Sequence, residues 1–358
     1  MSKPLESAKV IEDLLLDIEE EKCVLLIGPE IGGKDSQSQT RFIHQQLLEQ
    51  EADNIAYYYP NDSLFLFKED AHKNRAIRRL KRLYRKMEVP TALYKRILEL
   101  PIPLIISMTP DTGLSQVAQE LGLLHDFKHF RYSGGGAEDV DEPSNDRPLI
   151  YNLSGCVSEE ESLVLDYEDL FQLLRAILPD GLPNKIRMQL RRAESFLFLG
   201  FDFEKWYSQL LLQLLTYERK GRPKFAVRPK LENEDARDFL VHQFQIQFLP
   251  NEKSFFDALH DTLSEEGLLR PLSFAEASGP VPTEELMRQV ASGKLQDALL
   301  GLKRYRLTPE QETRLTALRE RHQHWKSKEA RGLFLPGESE PVRNQIVHDF
   351  LDLLNTLK

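Results

Sequence analysis

The chain has 358 residues, long enough for one large domain with a small one beside it, or for two ordinary domains. Hydrophobic residues make up 41% and charged residues 29%, the balance of a globular chain with many charged helices, and no apolar run approaches the 18 residues of a membrane span. Two cysteines, Cys23 and Cys156, exclude a disulfide framework and a four-cysteine zinc site, while a net charge of −10 argues against a surface that binds nucleic acid all over. The expected compartment is a reducing cytoplasm.

The opening stretch MSKPLESAKVIEDLLLDIEEE is too acidic for a signal peptide and predicts an amphipathic helix. Next comes CVLLIGPEIGGKDS, in which Val24 to Ile27 run into Gly28, with Gly32 and Gly33 close behind and Ser36 placed to start a helix. That order predicts a first strand and a phosphate-cradling turn, because only residues without Cβ let a backbone approach a pyrophosphate closely. Pro29 and Glu30 work against it: one removes a backbone donor, and the other sets a carboxylate where a diphosphate would lie.

Further along, HKNRAIRRLKRLYRKM (72 to 87) carries eight Lys or Arg and no acid. Ile77, Leu80, Leu83, Tyr84 and Met87 form one helical stripe, so one face docks and the other is basic. Lys73, Arg75, Arg78, Arg79, Arg82 and Arg85 are a candidate site for an anionic partner: nucleic acid, a nucleotide or an acidic protein surface. The plainer reading is a solvated face that pairs with the chain's own acids, or a contact within a homo-oligomer. In LHDFKHF, His125 and His129 have the i, i+4 spacing of a helical metal pair, but no carboxylate-rich third ligand pattern accompanies them, and loop or surface histidines are the expectation.

Apolar runs predict strands at 23 to 28, 103 to 108, 148 to 153, 195 to 201, 224 to 229 and 245 to 250, each long enough to be covered on both faces. Helical patterns such as FIHQQLLEQ, ALYKRILEL and YEDLFQLLRAIL lie between them, and the alternation predicts an α/β fold with a parallel, doubly wound sheet. YSGGGAEDVDEPSNDRP (132 to 148) reads as a long surface loop, and the acids of VSEEESLVLDYEDL as solvation and helix-start charge. After residue 270 the composition shifts to small residues and prolines, a linker over 271 to 281. From 282 to 358 there are only helical signals: Thr283 as a cap, Gly293 as a break, Thr308, Pro309 and Gln311 opening a long helix toward Ala330 with Gly332 beyond it, and a last helix from VRNQIV.

Four strand ends carry a family resemblance: Gly28-Pro29-Glu30-Ile31-Gly32, Met108-Thr109-Pro110-Asp111, Ser154-Gly155 and Phe198-Leu199-Gly200-Phe201-Asp202. Over about residues 1 to 265 the chain resembles the sirtuin-like domains of bacterial defence and signalling proteins. The resemblance implies a Rossmann-like fold, with NAD or a related nucleotide held near Gly28, Gly32, Thr109, Asp111, Ser154, Gly155 and Gly200. Thr109 stands where the family has an asparagine that positions the nicotinamide ribose, and Ser154 where it has the histidine that acts as general base. A serine hydroxyl cannot hold a proton near neutral pH as an imidazole can, a loss worth roughly 10² to 10⁴-fold. The expectation is therefore a catalytically degenerate sirtuin-like scaffold or nucleotide sensor with no catalytic residue and no metal. The competing expectation is an NAD-hydrolysing effector with a non-standard active site. Residues 282 to 358 resemble the helical effector-associated domains of bacterial conflict systems, which implies an adaptor that pairs with a protein partner; the plainer alternative is a structural cap on the sheet domain.

Overall fold

The computed structural model describes residues 4–31, 38–132, 139–178, 181–216, 221–227, 234–249, 252–272, 281–293, 295–302, 305, 307–330, 334 and 337–357. The chain divides into two compact units, Met1–Leu272 and Ser273–Lys358.

In the first unit, α1 (Pro4–Glu19) leads into β1 (Cys23–Ile27), whose five residues are all buried. Then come α2 (Gln39–Gln50), a hairpin of β2 (Ile55–Tyr59) and β3 (Leu64–Phe67), α3 (Asp70–Lys86), α4 (Thr91–Glu99) and β4 (Leu104–Ser107). The chain goes on through α5 (Gly113–Glu120), β5 (Asp126–His129), β6 (Leu149–Asn152), α6 (Tyr167–Ile177), α7 (Asn184–Arg192) and β7 (Ser195–Leu199). It closes with α8 (Trp206–Thr216), β8 (Lys224–Val227), α9 (Glu234–Phe244), β9 (Ile246–Leu249) and α10 (Glu252–Glu265).

Seven strands form one sheet in the order β5-β6-β4-β1-β7-β8-β9, and every pairing in it is parallel. Alternate residues of the central strands feed opposite faces, as the two-residue strand period requires. Leu25, Ile105 and Leu197 pack with Leu14, Ile97 and Leu259 on one side. On the other, Leu26, Ile106 and Phe198 pack with Leu173, Ile186 and Leu212. A third cluster, including Leu47, Phe65, Leu80 and Leu163, joins the β2–β3 hairpin to α2 and α3.

The α/β class and the doubly wound parallel sheet read from the sequence are those observed. Two segments differ. His125, expected in a loop, lies just before the edge strand β5, whereas His129 is the last residue of that strand, in register with β6 from Asp126↔Leu149 to His129↔Asn152, so the two histidines share no helix face. A segment this short has too little periodicity to separate a strand from a helix. The second difference is the β2–β3 hairpin, whose Pro60-Asn61-Asp62-Ser63 turn lies between two aromatic-rich runs. The 132 to 148 segment has no helix or strand before β6 among its described residues.

The second unit holds α11 (Thr283–Ala291), α12 (Leu295–Leu302), α13 (Pro309–Ala330) and α14 (Ser339–Asn355). Its own core includes Leu286, Leu299, Leu318, Trp325, Ile346 and Phe350. Thr308 and Gln311 form the capping pair at the start of α13: the Thr308 amide donates to Gln311 Oε1 (2.9 Å) and the Gln311 amide to Thr308 Oγ1 (3.4 Å). Thr283 is the first residue of α11, with Pro282 at the cap position. Gly332 lies outside the described residues.

Candidate functional site

From β1 the chain passes to β4 and its neighbours on one side, then crosses to β7 on the other side of β1. In open parallel sheets such a reversal leaves a crevice beyond the carboxyl ends of the strands, where ligands bind. A cavity of about 80 Å³ lies there, walled by Pro29 after β1, Met108 and Pro110 after β4, Ser154 after β6, and Phe201 and Asp202 after β7. His44 of α2, Ser63 of the hairpin tip, and Lys205 and Tyr207 at the start of α8 line it too.

The turn after β1 is stitched to the turn after β7. The amide of Gly28 donates to the Leu199 carbonyl (2.9 Å), that of Glu30 to the Gly200 carbonyl (2.9 Å) and that of Ile31 to the Gly28 carbonyl (3.4 Å), while Pro29 has no N–H to give. A Cβ on Gly28 would lie 2.2 Å from the Gly200 oxygen, and one on Gly200, at φ +60°, would lie 2.3 Å from the Ile31 nitrogen. Both glycines let two backbones cross in contact. Gly32, Gly33 and Ser36 lie outside the described residues.

Thr109 and Asp111 face elsewhere. Thr109 is buried, with its hydroxyl 2.9 Å from Ser107 Oγ and its amide donating to that same oxygen at 3.2 Å. Asp111 Oδ1 accepts from the Gly113 backbone amide (2.8 Å) at the start of α5, and its carbonyl accepts from the side-chain amide Nδ2 of the buried Asn152 (2.7 Å). The two residues line a separate void of about 10 Å³, room for one water at most. Ser154 therefore lines the cleft without Thr109 or Asp111. Gly155, at φ +84°, is required where the chain passes the Ser162 carbonyl, 1.9 Å from where a Cβ would sit.

Of the charged side chains that line the cleft, Asp202 closes a strand-end motif and Lys205 lies beyond it. Lys205, buried, donates to Ser63 Oγ (2.9 Å) and lies 3.5 Å from Asp202 Oδ2. Burial pulls its ammonium below the ordinary lysine value, against the pull of the Asp202 and Glu30 carboxylates. Burial, and next the charge of Asp202, raises the Glu30 carboxyl, while Arg41, Lys205 and Ser38 oppose that shift. Burial with the charge of Lys205 pushes the His44 imidazole down to about 3, so the ring is neutral at ordinary pH. Its Nδ1 lies 3.4 Å from the Tyr58 hydroxyl, and its ring packs against Phe65. The hairpin tip is pinned over the site: the Tyr207 hydroxyl donates to the Asp62 carbonyl (2.9 Å), the Tyr167 hydroxyl donates to the Asp62 carboxylate, and Ser63 is held at φ +57°.

A parallel sheet with its cleft at this reversal has Rossmann-like architecture. Residues 113–249 match the SIR2-like domain. No curated protein matches the chain. The SIR2-like segment begins with α5 and ends with β9, so it takes in Ser154, Gly155, Gly200, Asp202 and Lys205 and stops short of the β1 turn, Thr109 and Asp111.

Away from the cleft, α3 pairs half of its bases with the chain's own acids. Lys73 bridges Asp166 (2.7 Å) and Asp169 (2.6 Å), Arg75 and Arg79 reach the buried Glu51 (3.2 and 3.3 Å), and Lys81 lies 3.7 Å from Glu160. Arg78, Arg82 and Arg85 are exposed, with no ion pair to them among the described residues. His125 is hydrogen-bonded to Ser115 Oγ (2.8 Å) and the Leu123 carbonyl (2.9 Å), and His129 lies 3.2 Å from Glu159. Among the described residues no group of three or more His, Cys, Asp or Glu could hold a metal, and no helix is long and apolar enough to cross a membrane.

Proposed function

We propose that the first unit is a sirtuin-like scaffold that does not turn over NAD, and that it is coupled to an adaptor, the helical second unit, in a bacterial conflict or antiviral signalling system. One observation carries the first part: across residues 28–31 every backbone N–H that could cradle a diphosphate is already bonded to a protein carbonyl, and Pro29 has none. The separation of Thr109 and Asp111 from Ser154 supports it, because groups that must act together on one ribose would have to share a cavity. A nucleotide that did enter would be bound and left intact, which is the sensing form of the same reading.

An NAD-hydrolysing effector would need a base in the cleft. His44 is the imidazole there, and one titrating at about 3 is a weak base. The helical unit's separate core and compactness favour an adaptor over a cap. On α3, Arg78, Arg82 and Arg85 are the residues left for an anionic partner or a second copy, since Lys73, Arg75 and Arg79 are engaged internally. The test is incubation of the full chain with NAD, following nicotinamide release and the thermal melt together. The expected result is no turnover, with or without a rise in melting temperature. Turnover abolished by His44→Ala or Ser154→Ala would overturn the reading in favour of the effector.

A further inference from the structure

The geometry points to Lys205 as the anchor for an anionic oxygen group, a carboxylate or a phosphate, bound in the cleft at the carboxyl ends of the strands. This rests on the reading of that cleft as a ligand site and adds the group that would hold the ligand. Three observations lead to it.

The first is that the described backbone donors of the turn after β1 are already in use. An anion in a Rossmann-like crevice is ordinarily held by backbone N–H groups of the first turn. Here those of Gly28, Glu30 and Ile31 are spent on the Leu199, Gly200 and Gly28 carbonyls. Among the residues that line the cavity, Lys205 is the cation.

The second is the incomplete satisfaction of its ammonium. A lysine head has three N–H donors. Ser63 Oγ takes one at 2.9 Å; Asp202, at 3.5 Å, is well beyond the 2.7 to 2.9 Å of a good charge-assisted bond. Beyond these the ammonium has the face of the Tyr207 ring, 5.9 Å away, and among the described residues no third oxygen acceptor within hydrogen-bond reach. A side chain only 8% exposed, carrying a charge with a loose pair and a spare donor, is costly to keep unless something completes it.

The third is the size and balance of the space. About 80 Å³ is small beside the roughly 300 to 1,000 Å³ of pockets that bury drug-sized ligands, and it suits one anionic group more than a dinucleotide. Arg41 and Lys205 balance the Glu30 and Asp202 carboxylates when all four are ionised, so a single added negative charge gains the Lys205 ammonium only by displacing its loose Asp202 pair. An entering anion competes with Asp202 for the ammonium. No bond to the ligand is made or broken.

Isothermal titration of the full chain with AMP, inorganic phosphate, acetate and uncharged adenosine tests this. The expected result is that at least one anionic probe binds, that Lys205→Met weakens it tenfold or more without changing the response to adenosine, and that Asp202→Asn tightens it severalfold. Asp202→Asn keeps the oxygen that accepts from the Glu204 amide, so it reports even if the Lys205 variant is poorly folded. AMP binding without phosphate binding identifies a nucleotide phosphate, and acetate alone a carboxylate. Anion binding unchanged in both variants overturns the role of Lys205 and leaves the cleft reading standing. No binding of any probe by the wild-type chain overturns the cleft reading, and the anchor with it.

Discussion

Gly28 and Gly200 meet where two strand-end turns cross, with each backbone in the space the other's Cβ would need. A glycine kept for ligand approach and one kept for chain crossing leave the same mark in a sequence, but their losses differ. Gly28→Ala is expected to lower stability by at least about 2 kcal/mol, because the clash is with backbone that cannot swing aside; chemical denaturation reads it with no ligand present. A melt unchanged from wild type would return Gly28 to the role of a binding glycine. Glu30 makes a second test of the same turn. Burial, and after it Asp202, raises its folded-state pKa, so its ionised form opposes folding and the penalty is present above that value. Glu30→Gln should therefore be more stable than wild type near pH 7, and the gap should close as pH falls through the raised pKa toward the unfolded carboxyl value. Urea midpoints of both proteins from pH 7 to pH 4 check this, and a gap that widens on acidification contradicts it.

At the scale of the element, α3 shows why charge runs mislead. Read along the chain its bases form one class; folded, Lys73 is held between Asp166 and Asp169 at the start of α6, while Arg82 is exposed. Lys73→Ala takes away the ammonium that pairs with the buried Asp169 carboxylate, which keeps its backbone bonds from Leu165 and Asp166, at an expected cost of about 2 kcal/mol. The triple change Arg78→Gln, Arg82→Gln, Arg85→Gln is expected to shift stability by less than about 1 kcal/mol, as exposed positions do. Equal losses in thermal melts would mean that the outer arginines are structural as well. The strands were legible because β1, β4, β6 and β7 are buried along their whole length and so read as unbroken apolar runs. β5 was not, since Asp126, Lys128 and His129 belong to a half-exposed edge strand. Of the residues that line the cleft, Ser154 stands at a strand end that the sequence marks. Lys205 does not, because its importance comes from Ser63, 142 residues earlier, and no local pattern records that contact. One signal was available for Asp202 and Lys205: two opposite charges directly after an apolar strand, at i and i+3, the spacing at which side chains meet over a helix start.

For the whole molecule the open question is whether the second unit acts through its own surface. Each unit has a separate core, and the core of Ser273–Lys358 draws on each of the four helices among its described residues, from Leu286 on α11 to Phe350 on α14. Roughly 75 to 85 residues with such a core is enough for independent folding, though with little stability in reserve. If the unit is an adaptor, a chain ending at Leu272 should stay soluble and melt as the first unit does in the intact protein, and residues 273 to 358 alone should unfold cooperatively and keep the capture of whatever partner the full chain binds. A structural cap predicts otherwise: its removal would uncover apolar surface at about 25 cal/mol per Å², and even 200 Å² would then cost about 5 kcal/mol, much of a typical domain's stability. Calorimetry of the intact chain and of both fragments decides between them. Two independent transitions that reappear unchanged in the fragments favour the adaptor, whereas a shortened chain that aggregates or melts many degrees lower would make the helical unit part of the sheet domain's own fold.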